Sequence, residues 1–316
     1  MASLFAIGLH GGAGTIAPGT AADEAPYRKA LLDALAAGQA VLERGGGALE
    51  AVVATVVSLE DCPLFNAGHG AVFTSEARNE LDAGVMDGST LAAGAVAGVR
   101  VIRNPILAAL EVMRDGRSVI LGCDGAERFA RERGLQIVEP SYFATPHRLA
   151  QLRAVQAAAG ERAVVDHDAA AAMDDDAPRF GTVGAVARDR HGHLAAATST
   201  GGLTNKMPGR LSDSSIVGAG VYANDATCAV SCTGTGERFI RGCVAYDIHA
   251  RMQYLKQDVE TASGDSIAQA LEPLGGRGGV IAVGRDGRIA MPFNSTGMYR
   301  AWLREGETPQ AAVFAA

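Results

Sequence analysis

No stretch of this sequence stays apolar for the length of a membrane-spanning helix, so no such helix is expected. Its charge carries no basic excess. The net value is -7, without a long block of one sign, which argues against a nucleic-acid partner. Met1 to Gly14 lacks a basic start, and its short apolar run meets His10-Gly11-Gly12 at once. The expectation is a cytoplasmic protein without a signal peptide. The five cysteines (Cys62, Cys123, Cys228, Cys232 and Cys243) are odd in number, scattered and never in a CxxC pair. That disfavours a disulfide frame and suits free thiols in a reducing compartment. No HExxH and no His/Cys cluster has the spacing of a metal site. His191 and His193 flank a hairpin turn, His10 and His69 fall in loop-like stretches, and His167 sits in an acidic run. Turn and surface roles are the expectation for all of them.

What is present suits one large domain. The 316 residues are 48% hydrophobic and 20% charged, with aromatics at 5% and 40 glycines. Residues 4–9 read as a buried strand entering a Gly-rich loop, His10 to Gly14. Apolar positions at steps of three and four predict helices over 24–43 and 48–60. A turn-rich stretch follows from Cys62 to Gly70. Strands are expected near 84–86, over 93–101 and over 118–121, with helices over 105–114 and 124–133. The run 157–178 is rich in Ala and acidic residues and reads as a helix end followed by a surface linker. Residues 182–188 and 194–200 then form a hairpin around a turn at Asp189 to Gly192. Another strand is expected over 227–233, helices over 235–254 and 264–271, and a second hairpin over 279–293. Helices clustered in the first half and near the end, with antiparallel hairpins elsewhere, suit stacked sheets covered by helices rather than a parallel doubly wound sheet.

The linker ends directly on Gly181-Thr182-Val183-Gly184. A cut between Gly181 and Thr182 would give Thr182 a free α-amine beside its own hydroxyl. Such an amine titrates at roughly 7.7–8.0, where a general base works well, so one residue would supply nucleophile and base. Gly181 tolerates the strained backbone that such a self-attack needs. Gly-Thr by itself is commonplace, and three further segments add weight. Thr198 to Asp213 gathers hydroxyls, glycines, Arg210 and Asp213. Arg210 could grip an α-carboxylate and Asp213 an α-ammonium, although a surface ion pair is the commoner fate of such neighbours. Ser231-Cys232-Thr233-Gly234-Thr235-Gly236-Glu237 runs from a strand into a helix and could form an oxyanion hole. It lacks the third glycine of a dinucleotide fingerprint. Asp61 to Gly70 turns repeatedly and carries no periodic structure.

In this order the segments resemble the plant-type asparaginase/isoaspartyl peptidase family of N-terminal-nucleophile (Ntn) hydrolases. The matching stretches are His10-Gly11-Gly12-Ala13-Gly14, Pro63 to Gly68, Gly181 to Val186, Thr198 to Asp213, Gly218 to Asn224, Ser231 to Glu237 and Gly275 to Gly279. They span nearly the whole chain and are weakest over 135–180. The resemblance implies an α+β fold, a four-layer αββα sandwich, in a single domain over 1–316. It implies self-cleavage into an α subunit 1–181, with its linker at about 157–181, and a β subunit 182–316, paired as (αβ)2. Thr182 would be the nucleophile, with Thr200 the hydroxyl beside it. Arg210 and Asp213 would bind the substrate's α-carboxylate and α-ammonium. Thr233 and Gly234 would form the oxyanion hole, Gly236 would line the pocket, and Asn66 would support the nucleophile region. The loop from Leu59 to His69 resembles one that holds a structural sodium through the carbonyls of Leu59, Glu60, Cys62, Phe65, Ala67 and His69. No cofactor is implied for catalysis.

The implied activity is hydrolysis of β-aspartyl (isoaspartyl) dipeptides and of L-asparagine, with neither nucleic acid nor membrane as partner. Rival readings are a glycosylasparaginase-like amidase, which typically has Asp where Gly181 stands, and a relative acting on larger proteins. Two more are a metal-dependent amidohydrolase using His10, His69 and the carboxylates, and an uncleaved non-catalytic binding protein.

Overall fold

A computed structural model describes residues 4–14, 21–159 and 181–314. Most of the linker expected over 157–178 lies outside the described residues. The helix end expected before it is α5 (Pro146–Ala159). The fold is mixed α+β with two sheets. Among the described residues, one sheet has eight strands, in the order β12 (Gln310–Ala312), β11 (Gly297–Arg304), β1 (Ala6–Gly14), β5 (Val183–Arg188), β6 (Leu194–Thr200), β2 (Leu81–Asp87), β3 (Ala93–Val99) and β4 (Ile120–Gly122). The other has four: β10 (Ile289–Ala290), β9 (Gly278–Gly284), β8 (Cys228–Gly234) and β7 (Val221–Ala223). Every ladder between these strands is antiparallel except β3 with β4.

Strand alternation sorts the side chains into two cores. In β5 and β6, Val183, Ala185, Ala187, Ala195 and Ala197 face the cluster built with α1 (Ala21–Glu43), α2 (Ala48–Glu60) and α3 (Pro105–Asp115). Val186, Leu194 and Ala196 face the second cluster, between the sheets and α7 (Val244–Tyr254) and α8 (Val259–Ser266). Small residues let the sheets close on each other. A Cβ added at Gly184 would run into Ser231 Oγ of β8. Scarce aromatics are consistent with this: most of the core is Ala, Val, Leu and Ile.

The hairpin expected over 182–200 is present. Asp189 Oδ1 accepts the N–H groups of His191 (2.8 Å) and His193 (3.0 Å) and shapes its turn. Helices α1, α2, α3 and α4 (Cys123–Glu132) also stand where expected. Other expectations need correction. His10 to Gly14 is not a loop: β1 continues through it, with a register shift between His10 and Gly12 against β11. The helix expected over 235–254 is two, α6 (Gly236–Gly242) and α7, because Cys243 takes a left-handed conformation (φ 46°). Phe239 and Val244 are both fully buried. A five-residue interval cannot keep both on one face of a straight helix, so the break is what buries them. The helix expected over 264–271 begins earlier, at Val259, and Ile267–Leu271 follows it as a π turn. The second hairpin has only two residues in its return strand, and β7, β11 and β12 were not anticipated.

Gly38, inside α1, shows how closely the layers fit. Glycine normally weakens a helix relative to alanine, yet a Cβ here would strike Thr55 Oγ1 of α2 and Ile7 Cδ1 of β1. Gly38→Ala is therefore expected to reduce unfolding free energy by about 1–3 kcal/mol, read from urea denaturation. Unchanged or increased stability would show that α1 can shift without cost.

Candidate active site

The site begins with hairpin register. Val183 pairs with Ser199, so Thr182 and Thr200 face each other one step further on. Both lie on the face that looks toward the second sheet, and the Thr182 hydroxyl donates to Thr200 Oγ1 at 3.2 Å. Thr200 Oγ1 also accepts from Gly202 N at 2.9 Å. Thr182 is 5% exposed and Thr200 is fully buried.

Strand β1 flanks the Gly181–Thr182 bond. Gly12 has φ +114°, and a Cβ there would collide with the N, Cα and C atoms of Gly181. Only glycine gives both this conformation and this approach. Thr233 also reaches this point. Its Oγ1 accepts from Ala13 N at 3.1 Å and lies 2.8 Å from where a Gly181 Cβ would stand. Among the described residues the Thr233 hydroxyl proton has no acceptor, so it is available for an oxygen at the bond. Gly234 follows with φ +144°, where a side chain would strike the Arg277 carbonyl.

Arg210 and Asp213 converge on Gly236. Asp213 Oδ1 and Arg210 Nη2 lie 2.8 and 3.0 Å from the place of a Gly236 Cβ. Among the described residues they form no ion pair with each other. Arg210 Nε instead donates to Glu237 Oε1 at 2.9 Å, which leaves the outer nitrogens of the guanidinium toward the pocket. Arg210 Nη1 comes within 2.9 Å of a Gly202 Cβ position, so direct neighbours link Thr182, Thr200, Gly202, Arg210 and Gly236. Asp213 is 1% exposed, and its Oδ2 has no hydrogen-bond partner among the described residues. Burial pushes its carboxyl up to about 7, against the opposing pull of Arg210. Carboxylates at the start of β2, Glu80 just before it and Asp82 within it, hold the loop between. Glu80 accepts from Gly209 N (2.8 Å) and Asp82 from Ser212 N (2.7 Å), while the buried Lys206 ammonium donates to the Glu80 carbonyl (2.7 Å).

Asn66 does not bond Thr182. It braces the turn after Thr200, donating from Nδ2 to the Gly202 carbonyl at 2.7 Å, while its own carbonyl accepts from Gly201 N at 3.0 Å. The loop that carries it leaves α2 at Glu60, whose carboxyl accepts from Ser199 Oγ of β6 at 2.6 Å. Within the loop, the Leu59, Glu60 and Cys62 carbonyls accept from Cys62, His69 and Phe65 N–H groups at 3.3, 2.7 and 3.4 Å. The Phe65, Ala67 and His69 carbonyls accept no hydrogen bond among the described residues. Carbonyl oxygens without a donor are the kind of ligand that a hard cation takes. Among the described residues, no three His, Cys, Asp or Glu side chains cluster to hold a metal.

The histidines divide. His191 and His193 are exposed at the hairpin turn as expected, and His193 Nδ1 contacts Asp225 Oδ2 at 2.7 Å. His69 is half-buried against Tyr142. His167 lies outside the described residues. His10 overturns its expectation: it is fully buried in β1, with Nδ1 2.9 Å from the Thr182 carbonyl and Nε2 2.8 Å from Ser231 Oγ. Burial lowers its basicity to about 3, so it is neutral. Alternation along β1 carried the missed signal, since Ala6, Gly8 and His10 share the face toward the second sheet. Glu237, which fixes Arg210, was also given no role from the sequence.

The five cysteines are free thiols, with Cys228 and Cys232 buried. No helix among the described residues is long and apolar enough to cross a membrane.

Comparison with known proteins covers the same ground. The asparaginase family model matches residues 3–313. An isoaspartyl peptidase of Salmonella typhimurium is 52% identical over 98% of this chain and 98% of its own length. One of Escherichia coli is 51% identical over 98% and 95%. An isoaspartyl peptidase/L-asparaginase of Danio rerio is 38% identical over 95% and 92%. The match takes in β1, the hairpin that opens at Thr182 and the segments converging on it, and the chain belongs to the asparaginase family.

Proposed function

We infer that this chain is an isoaspartyl peptidase/L-asparaginase that matures by cutting itself between Gly181 and Thr182. Its substrates are β-aspartyl dipeptides and L-asparagine. The observation that carries the reading is the Thr182 hydroxyl, 3.2 Å from Thr200 Oγ1 and joined through Gly202 to the Arg210–Asp213 pocket. The names of the relatives at 52% and 51% identity support the same activity. The two facing sheets with helices packed on them support a four-layer αββα sandwich of the Ntn-hydrolase type.

In the cut enzyme the Thr182 amine, titrating at roughly 7.7–8.0, takes the proton of its own hydroxyl. The hydroxyl oxygen attacks the substrate's side-chain carbonyl. Thr233 and Gly234 donate to the oxyanion. The amine returns the proton to the leaving group, which is ammonia from asparagine or an amino acid from a dipeptide. Water then releases aspartate. Arg210 and Asp213 hold the α-carboxylate and α-ammonium, so both must be free on the substrate. A structural sodium belongs in the loop with the spare Phe65, Ala67 and His69 carbonyls. Exchange from sodium into tetramethylammonium buffer is expected to lower the melting temperature, and identical melting would remove the ion.

Purified protein is expected to give two unequal fragments, the smaller starting at Thr182, in a native (αβ)2 particle of about twice 32.4 kDa. Thr182→Ala should remain one band and be inactive. An active Thr182→Ala enzyme would overturn the reading.

Asp213 adds a pH signature. It must be ionised to hold an ammonium, and in the free enzyme it titrates near 7. Substrate binding thus weakens as pH falls through that value. A bound ammonium keeps the carboxylate ionised, so this acid limb appears in kcat/KM and not in kcat, whereas the Thr182 amine lowers both. Asp213→Asn should lose the extra limb and bind weakly at every pH. Identical acid limbs in kcat and kcat/KM would count against Asp213 as the ammonium site.

A further inference from the structure

The reaction described above leaves one buried group beside the nucleophile without a role. His10 is fully buried on the inter-sheet face of β1, and both ring nitrogens are engaged. A carbonyl oxygen only accepts, so the contact with Thr182 O requires the proton on His10 Nδ1. In a neutral ring Nε2 then accepts, and Ser231 must donate its hydroxyl proton to it. Ser231 Oγ is also 2.8 Å from Thr198 Oγ1, whose proton is shared between Ser231 and the Gly220 carbonyl. The Thr182 carbonyl thereby fixes the tautomer, and the Ser231 and Thr198 hydroxyls turn to suit it.

The location of Thr182 gives this bond its consequence. The β5–β6 ladder opens at Val183, and the β1–β5 ladder ends with His10 opposite Gly184. Thr182 lies one residue beyond the first and two beyond the second. Once the preceding bond is cut, it is a chain end with no covalent neighbour on its amino side. We propose that His10 is a positioning residue for Thr182, its Nδ1–H holding the Thr182 carbonyl so that hydroxyl and amine stay aimed at the substrate. This rests on Thr182 being the nucleophile. Burial keeps the ring uncharged at neutral pH, so it adds no positive charge beside an amine that must stay deprotonated to work.

Asparagine and glutamine separate the two ends of the imidazole. In His10→Asn the side-chain N–H stands near the place of Nδ1 and can still reach the Thr182 carbonyl. In His10→Gln it stands near Nε2 and reaches Ser231 instead. With rates referred to the self-cleaved fraction, His10→Asn is expected to keep kcat within about threefold of the parent. His10→Gln should lose about tenfold to a hundredfold in kcat. KM for a β-aspartyl dipeptide should change little in either. Failure of His10→Gln to self-cleave, with normal cleavage of His10→Asn, supports the same role. Equal behaviour of the two variants, whether both intact or both impaired, overturns it, as does a change confined to KM. The 15N spectrum of the parent protein is an independent check: a neutral ring protonated at Nδ1 is expected, and an Nε2–H tautomer or an imidazolium at neutral pH contradicts the proposal. Activity in Thr182→Ala would instead remove the nucleophile assignment itself, whatever the His10 variants do.

Discussion

The antiparallel pairing of β5 with β6 is the constraint on which the site depends. It sets the residue before Val183 opposite the residue after Ser199, and so brings two hydroxyls together from positions eighteen residues apart. Alternation then decides which way they point. One face of the hairpin is committed to the α1–α3 core through Val183, Ala185 and Ala197, which leaves Thr182, Thr198 and Thr200 to the space between the sheets. A slip of one residue would turn all of them into the helical layer. Core packing on one face thus places the chemistry on the other.

The polar groups between the sheets are buried, and burial shapes their electrostatics. Buried charge is poorly solvated, so groups either pair, become neutral or shift. His10 takes the neutral course and serves through hydrogen bonds alone. Arg210 is anchored at one nitrogen by Glu237 and keeps the rest for a ligand. Asp213 Oδ2 has no hydrogen-bond partner among the described residues, and burial pushes the carboxyl up to about 7. In the proposed reaction the substrate's ammonium supplies the partner that this carboxylate lacks.

Much of this was legible in the residues. The turn at Asp189 to Gly192 and the two strands beside it gave the hairpin that the structure has, while Thr200 as the neighbour of Thr182 came from the family resemblance. The Arg210–Asp213 interval pointed to a zwitterion pocket, and the structure brings both side chains to Gly236. What escaped was set by long-range packing. β1 continues through a glycine-rich stretch because β11, nearly three hundred residues away, pairs with it. That partner cannot be inferred from local periodicity, and without it His10 reads as a loop residue. The break at Cys243 likewise answers to the burial of Phe239 and Val244 together rather than to helix propensity.

The central claim is that Thr182, as a chain end, carries the acyl group during turnover. Mass spectrometry of enzyme quenched while hydrolysing a slow β-aspartyl substrate tests it directly. The expected result is one aspartyl group on the peptide that begins at Thr182, lost again when the substrate is exhausted. An aspartyl adduct on any other residue, or full activity in an uncut polypeptide, would contradict it.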